Sequence, residues 1–455
     1  MIHSLVEKQR AFFETDQTKD VNFRRLALLK LRTGIQKHES EILEALKKDL
    51  CKAEFESYMT EIGMVLDEIR FALNHMESWA KKKYVKTPIS QFPSVSFVMS
   101  EPYGVTLIMA PWNYPFQLCL SPLIGALAAG NTAILKPSEL APATSEVIHK
   151  LIQNCFEPEY VAVVEGDAEV SKQILEERFD YIFFTGGVSI GRIVMQAAAK
   201  HLTPVSLELG GKSPCIIDRT ADLKVAARRL MFGKIVNAGQ TCVAPDYIYV
   251  HESIRDAFVE EMKNTITEFL GDNPLENENY PKIINVRHFN RIISYLEGEE
   301  IITGGEYDIE TLKIAPTLLN QRGMETPVMK DEIFGPILPV IGYRDIREVI
   351  RYIRKNEKPL ALYLFTKDKK LEEKVLAQVS FGGGCINDTI IHVASPYMGF
   401  GGVGNSGMGA YHGKLSFDTF SHKKSIVKKA NFLDIPMRYH PYTKQKFNLV
   451  RKFLK

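Results

Sequence analysis

The sequence predicts an α/β protein organised around a doubly wound parallel sheet. From Val105 onward the apolar runs VTLIMA, AILK, YVAVVEG, YIFFTGG and TPVSLELGG alternate with stretches of helical spacing. Those runs are too apolar to have one wet face, as expected of strands covered on both sides by crossover helices. A second alternating region follows from about Ser213 to Phe400. A chain of 455 residues is also too long for a single core, so two or three domains are expected.

The elements follow in order. Residues 4–82 read as helical, with apolar positions recurring at three and four residues, as at Leu26 with Leu29 and at Leu43, Leu46 and Leu50. YVKTPISQFPSVSFVMSEPYG then alternates and carries prolines, which predicts an exposed β-hairpin. Between the strands of the first region, helices are expected up to Ala129 and through ATSEVIHKLIQNCF, AEVSKQILEE and SIGRIVMQAAAKHL. In the second region SPCIID, YIYVH and the apolar part of FGPILPVIGY read as strands. KVAARRLMFGKIV, SIRDAFVEEMKNTITEFL and REVIRYIRKN read as helices, and TFSHKKSIVKK as a last strand.

Composition excludes several classes. A hydrophobic fraction of 45% and a charged fraction of 25% are those of an ordinary soluble globular protein. Lys and Arg total 57 against 55 Asp and Glu, so charge points to no nucleic-acid partner. The balance is uneven only from Lys423 to Lys455, a basic stretch whose one acidic residue is Asp434. The 6 cysteines include no CxxC pair, which speaks against a metal site and against disulfides and fits a reducing compartment. The N-terminus is charged too early for a secretory signal, and no apolar run reaches the roughly eighteen residues of a membrane span. A cytoplasmic location is expected.

Several short stretches carry chemistry. GVGNSG at 402–407 matches GxGxxG, but it follows no apolar strand and opens no clear helix, so a flexible glycine-rich turn is expected there. FFTGGVSIGR does lie between a strand and a helix, where Gly186 and the helix N-terminus could approach a phosphate; a plain tight turn fits equally well. KPSE, Lys136 to Glu139, ends a strand at its carboxyl edge, where a ribose could be gripped. Glu208 of LELGGKSP stands in an apolar strand, so it is either a general base of raised pKa or a structural carboxylate. Asn113 of PWNYP is either a rigid amide donor for an oxyanion or a turn former. Cys242 of NAGQTCVAPD is either a nucleophile or another buried thiol. Together, a thiol, a carboxylate and an amide donor are the parts of covalent acyl chemistry with a water-activating base, and a nucleotide-binding sheet adds hydride transfer. A cofactor-independent thiol esterase or hydrolase would use the same Cys242 and Glu208, but not KPSE or FTGG.

With PWNYP, AAGNTAILKPSE, FTGG, LELGGKSP, GQTCVAPDY, EIFGP and FGGVGNSGMG in this order, the chain resembles the aldehyde dehydrogenase superfamily over nearly all its length. APDY after the cysteine and GNSGMGAYHGKLSFDTFSH resemble its class 3 branch, which handles medium- and long-chain or aromatic aldehydes. The resemblance implies two doubly wound α/β domains plus a small β bridging element. In this chain these would be residues 1–82 and 101–208 for NAD(P), 209–400 for catalysis, 83–100 and 415–430 for the bridge, and 431–455 as a C-terminal tail. It implies Cys242 as nucleophile, Asn113 with the Cys242 N–H as oxyanion hole, and Glu208 as the base for water. Lys136 and Glu139 would hold the adenosine ribose, Gly186 and Ser189 the pyrophosphate, and Glu332 the nicotinamide ribose, with Phe334 beside the ring. The cofactor would be NAD or NADP, with Glu139 favouring NAD, and the assembly a homodimer. FTGG departs from class 3 in carrying Gly187 where asparagine is usual. The basic tail, with Phe447, Val450 and Leu454 on one side, is expected to dock on the partner subunit rather than on a membrane surface. The neighbours of Cys242 in sequence include no cation and one acid, Asp246, so activation of the thiol is expected from tertiary neighbours or oriented N–H groups. The other five cysteines are expected to be buried.

Overall fold

Helices Ile2–Glu14, Val21–Lys37, Glu39–Leu50 and Gly63–Ala80 fill the N-terminal stretch. The computed structural model describes residues 2–454; Met1 and Lys455, which open and close the expected terminal segments, lie outside it. In Val21–Lys37 the buried face is Ala27, Leu28, Leu31 and Ile35. Leu26, expected on that face, is 66% exposed, because the apolar stripe runs one position further along. Leu46 and Leu50 are buried as the spacing predicts.

The first alternating region builds a six-stranded sheet. Its spatial order is Gly407–Met408, Val205–Leu209, Tyr181–Gly186, Val105–Met109, Thr132–Lys136, Val161–Val163. All neighbours are parallel except the first pair. Every residue of Val105–Met109 and Thr132–Lys136 is buried, which is why these runs carry no alternation. The second region builds a seven-stranded sheet: Ile301–Thr303, Thr317–Asn320, Ile337–Tyr343, Tyr247–His251, Pro214–Ile217, Ala361–Phe365, Gly383–Ile386. It too is parallel except at its first pair. The chain crosses from one sheet to the other through Gly210–Ser213.

Lys83–Val85 and Ser94–Pro102 form the antiparallel hairpin, and Ser421–Lys429 adds a third strand along the whole of Ser94–Pro102. Residues 414–419 form a helix packed on Gln117–Ala129 rather than part of that sheet.

The turn at 402–407 is not a loose one. Gly407 pairs antiparallel with Glu208, and a Cβ on Gly407 would stand 2.1 Å from Leu207 O. The glycines there allow a backbone to lie directly against the strand that carries Glu208. Among the described residues no helix is long and apolar enough to cross a membrane. No group of three or more His, Cys, Asp or Glu among them is placed to hold a metal ion.

Candidate active site

The loop before Cys242 leaves helix Leu223–Ile235 through three consecutive residues of positive φ, Asn237, Ala238 and Gly239. Left-handed backbone at Asn and Ala is costly and persists only where surroundings hold it. Here amides do the holding. Asn237 Nδ2 donates to Asn113 O at 2.8 Å and to Gln240 O at 3.0 Å. Gln240 Nε2 donates to Asn237 O and Lys282 O, each at 3.0 Å, while its Oε1 accepts the Ile284 N–H. The amide-rich composition of NAGQT therefore builds a rigid platform for the cysteine.

Asn113 is buried on the turn after Val105–Met109, and its Nδ2 donates to Gln240 O at 3.0 Å. One N–H of the amide is thus used to fix the side chain, leaving the other for a ligand. Glu208 is buried beside Cys242, and burial pushes its carboxyl up to about 7. The thiol is pushed well above its ordinary value, first by burial and then by the carboxyls of Glu208 and Glu332. Of the two sources of activation expected, tertiary neighbours and oriented N–H groups, only the Cys242 backbone N–H lowers the thiol; the other surroundings favour its protonated form. Asp246 is committed elsewhere. Its carboxylate takes Lys212 Nζ at 2.5 Å and the Ile333 N–H at 2.9 Å. Lys212 also donates to Val328 O and Asp331 O, so this pair ties down the loop carrying Glu332 and Phe334.

A cleft of about 230 Å³ brings Asn113, Gly186, Glu208, Cys242, Glu332 and Phe334 together, with Trp112, Thr185, Gly187, His288 and Arg291 as further walls. Burial, then the Asp246 carboxylate, pushes Glu332 up to about 8. The Phe334 ring meets Trp112 edge-on at 5.3 Å, and Trp112 lies 5.0 Å from His288. Lys136, Glu139 and Ser189 do not line this cleft. Lys136 is buried at the carboxyl end of its strand, donating to Pro137 O and lying 3.6 Å from the exposed Glu139 carboxylate. Ser189 is the second residue of helix Val188–Ala199.

A dinucleotide fits these residues on three counts. Thr185 Oγ1, Glu208 Oε1 and His288 Nδ1 are buried polar atoms without partners, and all belong to residues walling the cleft. Gly186 and Gly187 lead into a helix N-terminus, where free N–H groups suit a pyrophosphate. A Cβ on Gly187 would meet no atom within 4 Å, so the side chain usual in class 3 is absent without anything filling its place.

Cys242 also lines a second cavity, of about 190 Å³. Met59, Met64, Phe232, Val236, Ile391 and Val393 give that cavity an apolar lining, with His412 the only histidine. Sequence reasoning missed these walls and His288, because they come from segments far apart in the chain, and it gave Trp112 no role although Trp112 adjoins Asn113 in PWNYP. Of the other cysteines, Cys119, Cys155 and Cys215 are buried, whereas Cys51 and Cys385 are partly exposed. Cys51 takes a left-handed backbone ending its helix, and Cys385 lies on an edge strand of the seven-stranded sheet.

The aldehyde dehydrogenase family model matches residues 1–426. The chain is 49% identical over 448 residues to 4,4'-diaponeurosporen-aldehyde dehydrogenase of Staphylococcus aureus, covering 98% of this chain and 97% of the relative. It is 44% identical over 430 residues to the dimeric NADP-preferring aldehyde dehydrogenase of Mus musculus, covering 94% and 95%. A solved structure described as the substrate-bound state of Staphylococcus aureus AldH superposes with a TM-score of 0.98 at 48% identity, covering all of both chains. An oxidoreductase of the aldehyde-oxidising class is defined by this agreement of fold and sequence. The chain belongs to the aldehyde dehydrogenase family.

Proposed function

We propose that this enzyme oxidises aldehydes with apolar tails, medium- or long-chain aliphatic or aromatic, to carboxylic acids through a thiohemiacetal and a thioester on Cys242. The carrying observation is that Cys242 stands between two cavities, one apolar and one walled by Glu208, Glu332 and Asn113. The name of one relative, 4,4'-diaponeurosporen-aldehyde dehydrogenase, supports an aldehyde substrate.

The aldehyde carbon approaches Cys242 from the apolar side. As sulfur bonds to carbon, the thiol proton passes to Glu208, whose raised pKa suits it to accept a proton near neutrality. The free N–H of Asn113 and the Cys242 backbone N–H receive the oxyanion. A nicotinamide held beside Glu332 and Phe334 would supply the acceptor for the hydride that leaves the thiohemiacetal carbon. Glu208 releases that proton to solvent and then takes one from water as its oxygen attacks the thioester; the C–S bond breaks to release the acid, and the proton on Glu208 returns to the sulfur to restore the thiol. Trp112 and Phe334 shield the reacting carbon from bulk water.

Lys136, Glu139, Gly186, Ser189, Glu332 and Phe334 are proposed to hold NAD or NADP. The exposed carboxylate of Glu139, paired with Lys136 at 3.6 Å, favours a cofactor with a bare 2′-hydroxyl, hence NAD. The division into residues 1–82 and 101–208 for cofactor and 209–400 for catalysis is likewise proposed. So is a homodimer built through the three-stranded sheet, whose Tyr84 and Val427 are exposed, with the chain acting in the cytoplasm. Kinetics with short aliphatic, long aliphatic and aromatic aldehydes, each with NAD and NADP, test this reading. A Cys242→Ala protein that kept aldehyde oxidation would sink it.

A further inference from the structure

Helix-rich residues 52–62, far from the cysteine in sequence, reach the reaction centre with buried charge. Lys52 and Glu61 are fully buried and paired at 2.5 Å. Removing two ions from water is costly and is offset only when their remaining bonding capacity is met. Here the backbone of the PWNYP turn meets it. Lys52 Nζ donates to Asn113 O at 3.0 Å and lies 4.0 Å from the Tyr114 ring centre. Glu61 Oε2 accepts the N–H groups of Phe116 and Gln117 at 2.9 and 3.2 Å, at the start of helix Gln117–Ala129. A second carboxyl group, that of Glu56, accepts the Asn237 N–H at 2.8 Å, on the first residue of the positive-φ kink. Asn237 in turn bonds Asn113 O, so both loops hang on one brace. Glu61 lies in a π-helical turn, Tyr58–Ile62, a form that recurs at functional sites. The same turn presents Met59 to the apolar cavity.

We infer that Lys52 and Glu61, aided by Glu56, are positioning residues that hold the Asn113 turn and the Cys242 loop in register for oxyanion stabilisation. The inference rests on the reading that the Asn113 amide contacts the oxyanion. A double-mutant cycle in the full-length enzyme separates the two. Asn113→Ala removes the amide but keeps the carbonyl that Lys52 holds. Lys52→Met removes the brace.

Alone, Lys52→Met is expected to lower kcat about 10- to 100-fold with little change in the KM for aldehyde or cofactor, the pattern of an interaction made in the transition state. In the Asn113→Ala background it is expected to cost no more than about threefold, since coupled residues lose the same contribution once. NADH binding and the melting temperature show whether the fold survives. Where Lys52→Met folds poorly, Glu61→Gln carries the same cycle, because it keeps the size of the side chain and an acceptor oxygen while removing the charge. Losses that multiply across the cycle, or single variants as active as wild type, overturn the brace. Full activity in Asn113→Ala overturns the oxyanion reading instead.

Discussion

Gly210 and Glu332 can occupy their positions only because Gly210 has no side chain: a Cβ there would stand 1.9 Å from Glu332 Oε2. The N–H of the next glycine, Gly211, bonds the same carboxylate. Gly210→Ala should therefore push Glu332 out of place without touching the cysteine. We expect the KM for NAD to rise about tenfold or more, in line with loss of a bond to the cofactor, while single-turnover acylation at saturating cofactor changes far less. An unchanged KM for cofactor would mean that Glu332 does not hold it.

Glu208→Gln should stall the cycle after hydride transfer. The pre-steady-state burst of NADH is expected to persist at reduced rate, while steady-state turnover falls about 10²- to 10⁴-fold, as for loss of a general base. A burst that vanished while thioester hydrolysis ran normally would assign the carboxylate another role.

The pH behaviour of Glu208 separates activity from stability. In the folded chain burial raises its carboxyl from 4.5 to about 7, so the folded state holds this proton more tightly than the unfolded one. Its stabilising contribution is complete below the unfolded pKa and is lost as pH rises through about 7. Activity runs in the opposite sense, because only the ionised carboxylate accepts a proton. Between pH 5 and pH 8 we expect kcat to rise and the melting temperature to fall. Glu208→Gln should flatten the melting-temperature trend, and equal trends in the two proteins would contradict the assignment.

The apolar cavity predicts selectivity by length. Met64 lines it at a distance from the reacting atoms, and Met64→Trp would fill part of its roughly 190 Å³. KM is expected to rise for long-chain aldehydes and to stay near wild type for propanal, since overpacking penalises only what must share the space. A uniform rise across chain lengths would place the substrate tail elsewhere.

The five parallel strands of the first sheet and three central strands of the second were legible because their apolar runs are short and bounded by turn residues, whereas Ile301–Thr303, Thr317–Asn320, Ala361–Phe365 and Gly383–Ile386 were not singled out. Cys242, Glu208 and Asn113 stood out as reactive types in constrained settings, and the fold brings them into one cleft. Other features were hidden for physical reasons. Leu26 sits one position off the buried stripe, which spacing alone cannot resolve. The turn at 402–407 looked loose, because nothing local reveals that Gly407 is pressed against Leu207. Lys52 and Glu61 carry no signal of their own within a helical stretch, since their pairing and burial arise only when the Asn113 turn packs over them. The acid at 246 misled in the same way: its partner Lys212 is 34 residues away.

The acidic company of the sulfur also bears on how the enzyme survives between turnovers. A thiol kept protonated first by burial and then by Glu208 and Glu332 is a poor target for peroxides and alkylating agents, which react with the thiolate. On the proposed mechanism, reactivity is conferred only when an aldehyde arrives to take up the sulfur as its proton departs. Such a resting state guards against self-inactivation in an enzyme whose own substrates are electrophiles.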